Sequence, residues 1–144
     1  LVDKHQLSQK VEFVGKVPFE QVSSYIALSK ICIVPHKDNP HTSNTIPHKL
    51  FQYMLLKKPV LVSSCKPLKR VVLETSSGAI FEADSAKDFS DSLNHLYKNA
   101  EKLKEFGQNA FRSVTDKNKY SHELNSHNLK GFYNLMKGKK GNKK

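Results

Sequence analysis

Apolar residues fall along this chain in two rhythms. Four short runs, at 11–14, 31–34, 59–62 and 79–81, are dense in Val, Ile, Leu and Phe and are bounded by Gly, Pro, Ser or Asp. That is the pattern of short buried strands. Between them the apolar positions take a helical period, with Val22, Tyr25 and Ile26, then Leu50, Phe51, Tyr53 and Met54, then Leu68, Val71 and Val72 after Pro67. Strand, helix, strand, helix predicts a parallel sheet covered by helices. After Phe81 the strands stop. Ser85 followed by Asp88 predicts a helix start of the capping-box type, with Phe89, Leu93, Leu96 and Ala100 on its apolar face. Leu103, Phe106, Ala110 and Val114 predict another helix, and a last one is expected from Ser121 through Leu124, Leu129, Phe132, Tyr133 and Met136. The expectation is one domain over residues 1–136, followed by a basic disordered tail at 137–144.

In sheets of this kind ligands sit beyond the carboxyl ends of the strands, which directs attention to the loops after Val14, Val34 and Val62. The loop after Val34 is rich in hydroxyl, amide and imidazole groups and runs into Pro47, which suits the first turn of a helix because it has no amide hydrogen to leave unpaired. The free amides of that turn, with the helix dipole behind them, form an anion site, and Lys49 adds a full charge toward a phosphate. Gln52, about one turn further on, can reach a hydroxyl at the rim. The same residues also fit a surface loop with an ordinary helix start, and the sequence alone leaves both readings open.

Charge adds weight to an anionic partner. The 144 residues carry 24 Lys and Arg against 13 Asp and Glu, a formal +11. Residues 1–72 hold +7 of this, and in the second half five of the last eight residues are lysine. The excess that needs an explanation therefore lies in the first half, with the polar loop. At 38% hydrophobic residues in periodic segments, the chain reads as globular rather than as a disordered polycation. No apolar run approaches the ~20 residues of a membrane span. Cys32 and Cys65 make neither a disulfide framework nor a zinc set and are expected to be reduced and packed, as in a cytoplasmic protein. His36, His41 and His48 do not match a metal signature, so no metal is expected. His36, directly after a strand, is the best placed of the three for a ligand.

Several segments follow one another in a known order: Phe13-Val14-Gly15-Lys16-Val17, residues 25–29, Ile33-Val34-Pro35, Pro47-His48-Lys49-Leu50-Phe51-Gln52-Tyr53-Met54, Lys58-Pro59-Val60-Leu61-Val62 and Gly78-Ala79-Ile80-Phe81. From about residue 11 to residue 133 the chain resembles the carboxyl-terminal, donor-binding half of the group 1 glycosyltransferases, retaining enzymes of the GT-B fold. The resemblance implies a Rossmann-like α/β domain with a helical carboxyl-terminal part. It also implies a nucleotide diphosphate sugar as donor substrate, with no separate cofactor. Members usually carry two glutamates eight positions apart, near the donor sugar and the ribose. The matching positions here are Asn44 and Gln52, both amides, which can bond hydroxyls but lack a carboxylate's charge. Lys49, by its charge at the helix start, and Asn44, by its match to the first glutamate, are the candidate catalytic groups. The resemblance implies that Gly15 and Val17 fall near the base, the backbone amides at Thr45 and Ile46 near sugar or phosphate and Gln52 near the ribose, while His36 and the Pro47 helix start join the binding site by their own placement.

The family's donor half normally opens with two further strands and an Arg/Lys pair, and an acceptor-binding domain precedes them. This chain contains none of these, so the resemblance implies a fragment of a longer enzyme, inactive alone, whose partner is the absent amino-terminal domain. Those two strands would lie between the strand at 11–14 and the strand at 31–34, leaving a gap in the sheet. A function of another class is a noncatalytic basic module for nucleic acid or an anionic membrane surface. Nucleic acid is disfavoured because no recognised motif or stacking platform accompanies the lysines. Electrostatic contact with the cytoplasmic face of a membrane is compatible with the enzyme reading.

Overall fold

The computed structural model describes residues 1–116, 120 and 127–138. A short 3-10 turn at Asp3–His5 opens the chain, and α1 (Phe19–Leu28) precedes β1 (Cys32–Val34). Then follow α2 (His48–Leu55), β2 (Val60–Ser63), α3 (Lys66–Thr75), β3 (Gly78–Phe81), α4 (Ala86–Tyr97), α5 (Ala100–Thr115) and α6 (His127–Gly138). The strands form a parallel sheet in the order β1-β2-β3, with Cys32 opposite Val60, Val34 opposite Val62, and Val60 opposite Gly78. Because strand order advances in one direction, right-handed crossovers put α2 and α3 on the same face. Gly78 is required by this register, since a Cβ there would overlap the Val60 carbonyl.

Alternation along the strands divides the core between the two faces. Cys32, Val34, Val60 and Val62 point to the face covered by α2 and α3, where they meet Leu50, Met54, Leu68, Val71, Ala110, Val114 and Phe132. Leu61 and Phe81 point the other way, against Leu96, with Ile33, Phe89, Leu93, Leu103 and Phe106 partly buried around them. Tyr120, buried behind α2, sets its ring 6.1 Å from that of Phe51 and donates from its hydroxyl to Glu74 at 2.5 Å. Burial and this carboxylate push its phenol up to about 12.

Three departures from expectation concern element ends and partners. Residues 11–14 join no strand ladder, and Val11, Phe13 and Val14 are exposed. The physical reason is pairing: an extended segment becomes a strand only when its backbone groups meet a neighbour, and among the described residues β1 pairs only with β2. The sheet is continuous from β1 to β3 rather than interrupted by the expected gap, and the 11–14 segment lies outside it. Pro47 is the N-cap rather than the first helical residue, α2 starting at His48. Ala100 does not continue α4, because Asn99 caps a new helix by accepting from the Lys102 amide at 3.0 Å. The Ser85 start is found as expected, its hydroxyl oxygen accepting from the Asp88 amide at 3.2 Å. Of the tail expected at 137–144, Lys137 and Gly138 are the last residues of α6, and the rest, like the expected helix onset at Ser121 with Leu124, lies outside the described residues. Among the described residues no helix is long and apolar enough to cross a membrane.

Candidate functional site

Because all three strands run the same way, the loops after Val34, Ser63 and Phe81 meet at one edge of the sheet. The loop between β1 and α2 is organised by its own side chains. Asn39 accepts with its Oδ1 from the amides of His41 and Thr42 at 3.0 and 3.1 Å, and Thr42 donates from its hydroxyl to the Lys37 carbonyl at 2.5 Å. Asn44 donates from its side-chain amide to the Pro40 carbonyl at 2.9 Å, and Thr45 from its hydroxyl to the His41 carbonyl at 3.2 Å. These are the Asx and hydroxyl turns expected of such residues. They shape the loop before any ligand arrives.

The loop delivers the chain to α2, whose apolar face is anchored by fully or nearly fully buried Leu50, Phe51, Met54 and Leu55. No side chain caps this helix, its first turn holds no acid, and Leu50 is the first residue of the helix to donate, to the Pro47 carbonyl at 3.0 Å. The amides of His48 and Lys49 thus have no acceptor among the described residues. Unpaired first-turn amides and the positive end of the dipole favour an anion there. Lys49 is exposed in the same turn.

Beside this start runs a groove of about 320 Å³, lined by Val14, Gly15 and Val17, by Val22, Tyr25 and Ile26 of α1, and by Lys49, Gln52 and Tyr53 of α2. Gly15 turns the first wall with φ at +73°, a left-handed conformation natural to glycine. Four of the residues expected in a site, Gly15, Val17, Lys49 and Gln52, are therefore brought together, although the two pairs are more than thirty positions apart in the chain. Asn44, Thr45, Ile46 and Pro47 are not part of the groove wall. Asn44 and Thr45 are exposed in the loop before α2, and Ile46 packs on the core. His36 stands at a second opening yet is close enough to Lys49 to feel its charge. Burial first, then Lys49 and His41, hold its imidazole below the usual 6.5, so it is neutral at pH 7.

Tyr25 and Tyr53 were missed as groove residues, because helical periodicity assigns both to the core. Tyr25 is in fact 44% exposed. Ser63, by contrast, is wholly buried, and Ser64 accepts from the Ala83 amide at 3.0 Å, so both serve the fold. Cys32 and Cys65 are free and buried, and burial raises the Cys32 thiol to about 11 against the lowering effect of Lys58. Neither is poised as a nucleophile. Among the described residues no three His, Cys, Asp or Glu side chains gather as metal ligands.

A parallel sheet with helices on both faces and openings at its carboxyl edge defines a Rossmann-like α/β domain. Comparison with known proteins narrows the class. The family model for glycosyl transferases group 1 matches residues 1–113, and the chain belongs to that family. Among solved structures it matches sucrose-phosphate synthase from Thermosynechococcus elongatus with a TM-score of 0.72 at 19% identity, over 96% of this chain and 33% of that one. At that identity the likeness is one of fold, and this chain spans about a third of the matched protein's length. Comparison with curated proteins yields no match.

Proposed function

We propose that this chain is the donor-binding part of a retaining glycosyltransferase that uses a nucleotide diphosphate sugar. The observation that carries the reading is the groove that joins Gly15 and Val17 to Lys49 and Gln52 beside the uncapped start of α2. Its apolar wall of Val14, Val17, Val22 and Tyr25 suits a nucleobase, and Gln52 on the facing helix offers an amide to the ribose hydroxyls. The diphosphate would lie at the His48 and Lys49 amides, with the Lys49 ammonium against it. As the sugar bond to the diphosphate lengthens, negative charge grows on the leaving oxygens. Fixed amides and a lysine stabilise that charge more than they stabilise the ground state. Asn44, at the rim of the loop, would orient the sugar.

The acceptor side of such an enzyme is assigned to polypeptide beyond these residues. Two observations support this. The chain covers a third of the matched structure, and β1, whose residues are all apolar, pairs on one side alone. An apolar strand paired on one side is unusual at the end of a sheet. Isothermal titration of the chain with uridine and guanosine diphosphates tests the donor site. Saturable binding of at least one, weakened in both Lys49→Ala and Gln52→Ala, is the expected result. Binding that is absent, or indifferent to both substitutions, would refute the reading.

A further inference from the structure

The two helices that wall the groove are held unequally. α2 buries Leu50, Phe51, Met54 and Leu55, whereas α1 buries only Ser23 and Ile26 and ends on Leu28, which is 84% exposed. Apolar packing therefore fixes the α2 wall and grips the end of the α1 wall weakly. That end is held by polar bonds instead. Ser29 donates from its hydroxyl to the Tyr25 carbonyl and from its amide to the Ile26 carbonyl, both at 3.1 Å. The Ala27 carbonyl accepts from the ammonium of Lys58 at 2.7 Å, across 31 positions of chain. Two of these three donors belong to the helix's own cap residue, and the third comes from the segment that leads into β2.

Lys58 is tied to the other wall as well. Its backbone amide donates to the carbonyl of Tyr53 at 3.0 Å. One half-buried residue thus grips the end of α1 with its side chain and the last turn of α2 with its backbone. The groove is next to both grips: Tyr53 lines it, and Ala27 directly follows Tyr25 and Ile26, which line it from α1. Lys58 itself is not in the lining. Lysine suits this place, because an ammonium at a helix C-terminus meets both an unpaired carbonyl and the negative end of the dipole.

We propose that Lys58 is a positioning residue for the groove, holding α1 at the distance from α2 that admits a nucleobase. The inference rests on the donor-site reading of the groove and adds to it a residue that acts through the walls. A wall set at its working distance before the ligand arrives lowers the ordering cost of binding. The effect is selective along the groove. The base lies against Val14, Val17, Val22 and Tyr25, between the walls, whereas the diphosphate lies at the His48 and Lys49 amides, on α2 alone. Those amides keep their place without Lys58, since α2 is fixed by its buried face.

Amide-resolved NMR titration of the 144-residue chain tests this, with uridine diphosphate, guanosine diphosphate and inorganic pyrophosphate as probes. Lys58→Met keeps the unbranched stem and removes the ammonium, Lys58→Gln shortens the arm, and Lys58→Arg keeps a long cationic donor. In the Met and Gln variants the nucleoside diphosphate that binds wild type should weaken at least about tenfold. Pyrophosphate should bind all four chains alike, and Lys58→Arg should recover most of the nucleotide affinity. Without ligand, the amides of Tyr25 and Ile26 should shift in the Met variant while those of His48 and Lys49 stay in place. A residue that served stability alone would lower both ligands together or neither. The proposal is overturned if the Met and Gln variants bind nucleoside diphosphate as wild type does, if pyrophosphate weakens as much as the nucleotide, or if Lys58→Arg is as weak as Lys58→Met. Wild-type binding that ignores Lys58 overturns this inference alone, whereas a wild-type chain that binds neither nucleotide overturns the donor-site reading and this role with it.

Discussion

Helices α2 and α4 begin at the same edge of one sheet and begin in opposite ways. The start of α4 is complete within the chain, with Ser85 accepting from the Asp88 amide and Asp88 adding its negative charge to the first turn. The start of α2 has Pro47 in the cap position, no acid in its first turn and Lys49 instead. An uncapped start of this kind costs about 1 kcal/mol relative to a capped one. What offsets the cost is packing, since α2 buries Leu50, Phe51, Met54 and Leu55, whereas α4 buries Leu96 alone among its described residues. A helix held by its side face is free to leave its end for a ligand. One held at its margin needs its cap.

The largest effect is expected at the ligand end of α2. Lys49→Ala should weaken nucleoside diphosphate binding by about 10- to 100-fold, the loss of a charged contact of about 1.5–3 kcal/mol. Urea unfolding should stay within about 0.5 kcal/mol of wild type, because the residue is exposed. Calorimetry showing equal affinity would break the contrast between the two helices. Next, Pro47→Asp gives α2 the cap it lacks. The cap's gain of about 1 kcal/mol is partly cancelled by the freer unfolded chain. Stability should therefore hold or rise while diphosphate affinity drops about tenfold through competition for the same amides. An affinity unchanged by this substitution would mean that the amides do not meet the ligand.

The converse experiment is Ser85→Ala, expected to cost about 1 kcal/mol in urea unfolding with nucleoside diphosphate binding unchanged. If it weakened nucleotide binding instead, α4's start would belong to the donor site. The smallest effect concerns His36, which stands between the two helix starts. Its folded imidazole protonates below 6.5 and its unfolded one near 6.5. The unfolded chain therefore holds more protons in the window beneath 6.5, and stability falls as pH is lowered through it. His36→Gln should flatten that part of the stability profile, measured by thermal unfolding between pH 7 and the acid limb. A profile identical to wild type would mean that burial and Lys49 do not hold the His36 imidazole low.

Much of this was legible along the chain. The strands at Val34, Val62 and Phe81, the helices between them, the Ser85 cap and the position of Lys49 in the first turn of a proline-led helix all follow from local pattern. So did four members of the groove, Lys49 and Gln52 through their places in the helix after Pro47, Gly15 and Val17 through resemblance alone. The 11–14 segment reads as a strand by the same rules that succeed elsewhere, and fails because no neighbour pairs with it. Tyr25 and Tyr53 share the periodicity of core residues, and nothing in that periodicity separates a groove wall from a buried face.

The sequence by itself determined the parts governed by near neighbours: the alternation of strands and helices, the capped start of α4, the proline start of α2 and the family to which they correspond. Backbone preference and side-chain bonds over three or four positions are enough for these. Tertiary structure alone decided which apolar run found a partner strand, and that the turn at Gly15 faces Gln52 across a groove. It also decided that residues after β1 and β3 close on a second cleft beside His36, whose Nδ1 has no hydrogen-bond partner among the described residues. Those outcomes depend on pairing and packing between segments thirty to fifty positions apart, where closing the intervening chain costs entropy that many contacts together must repay.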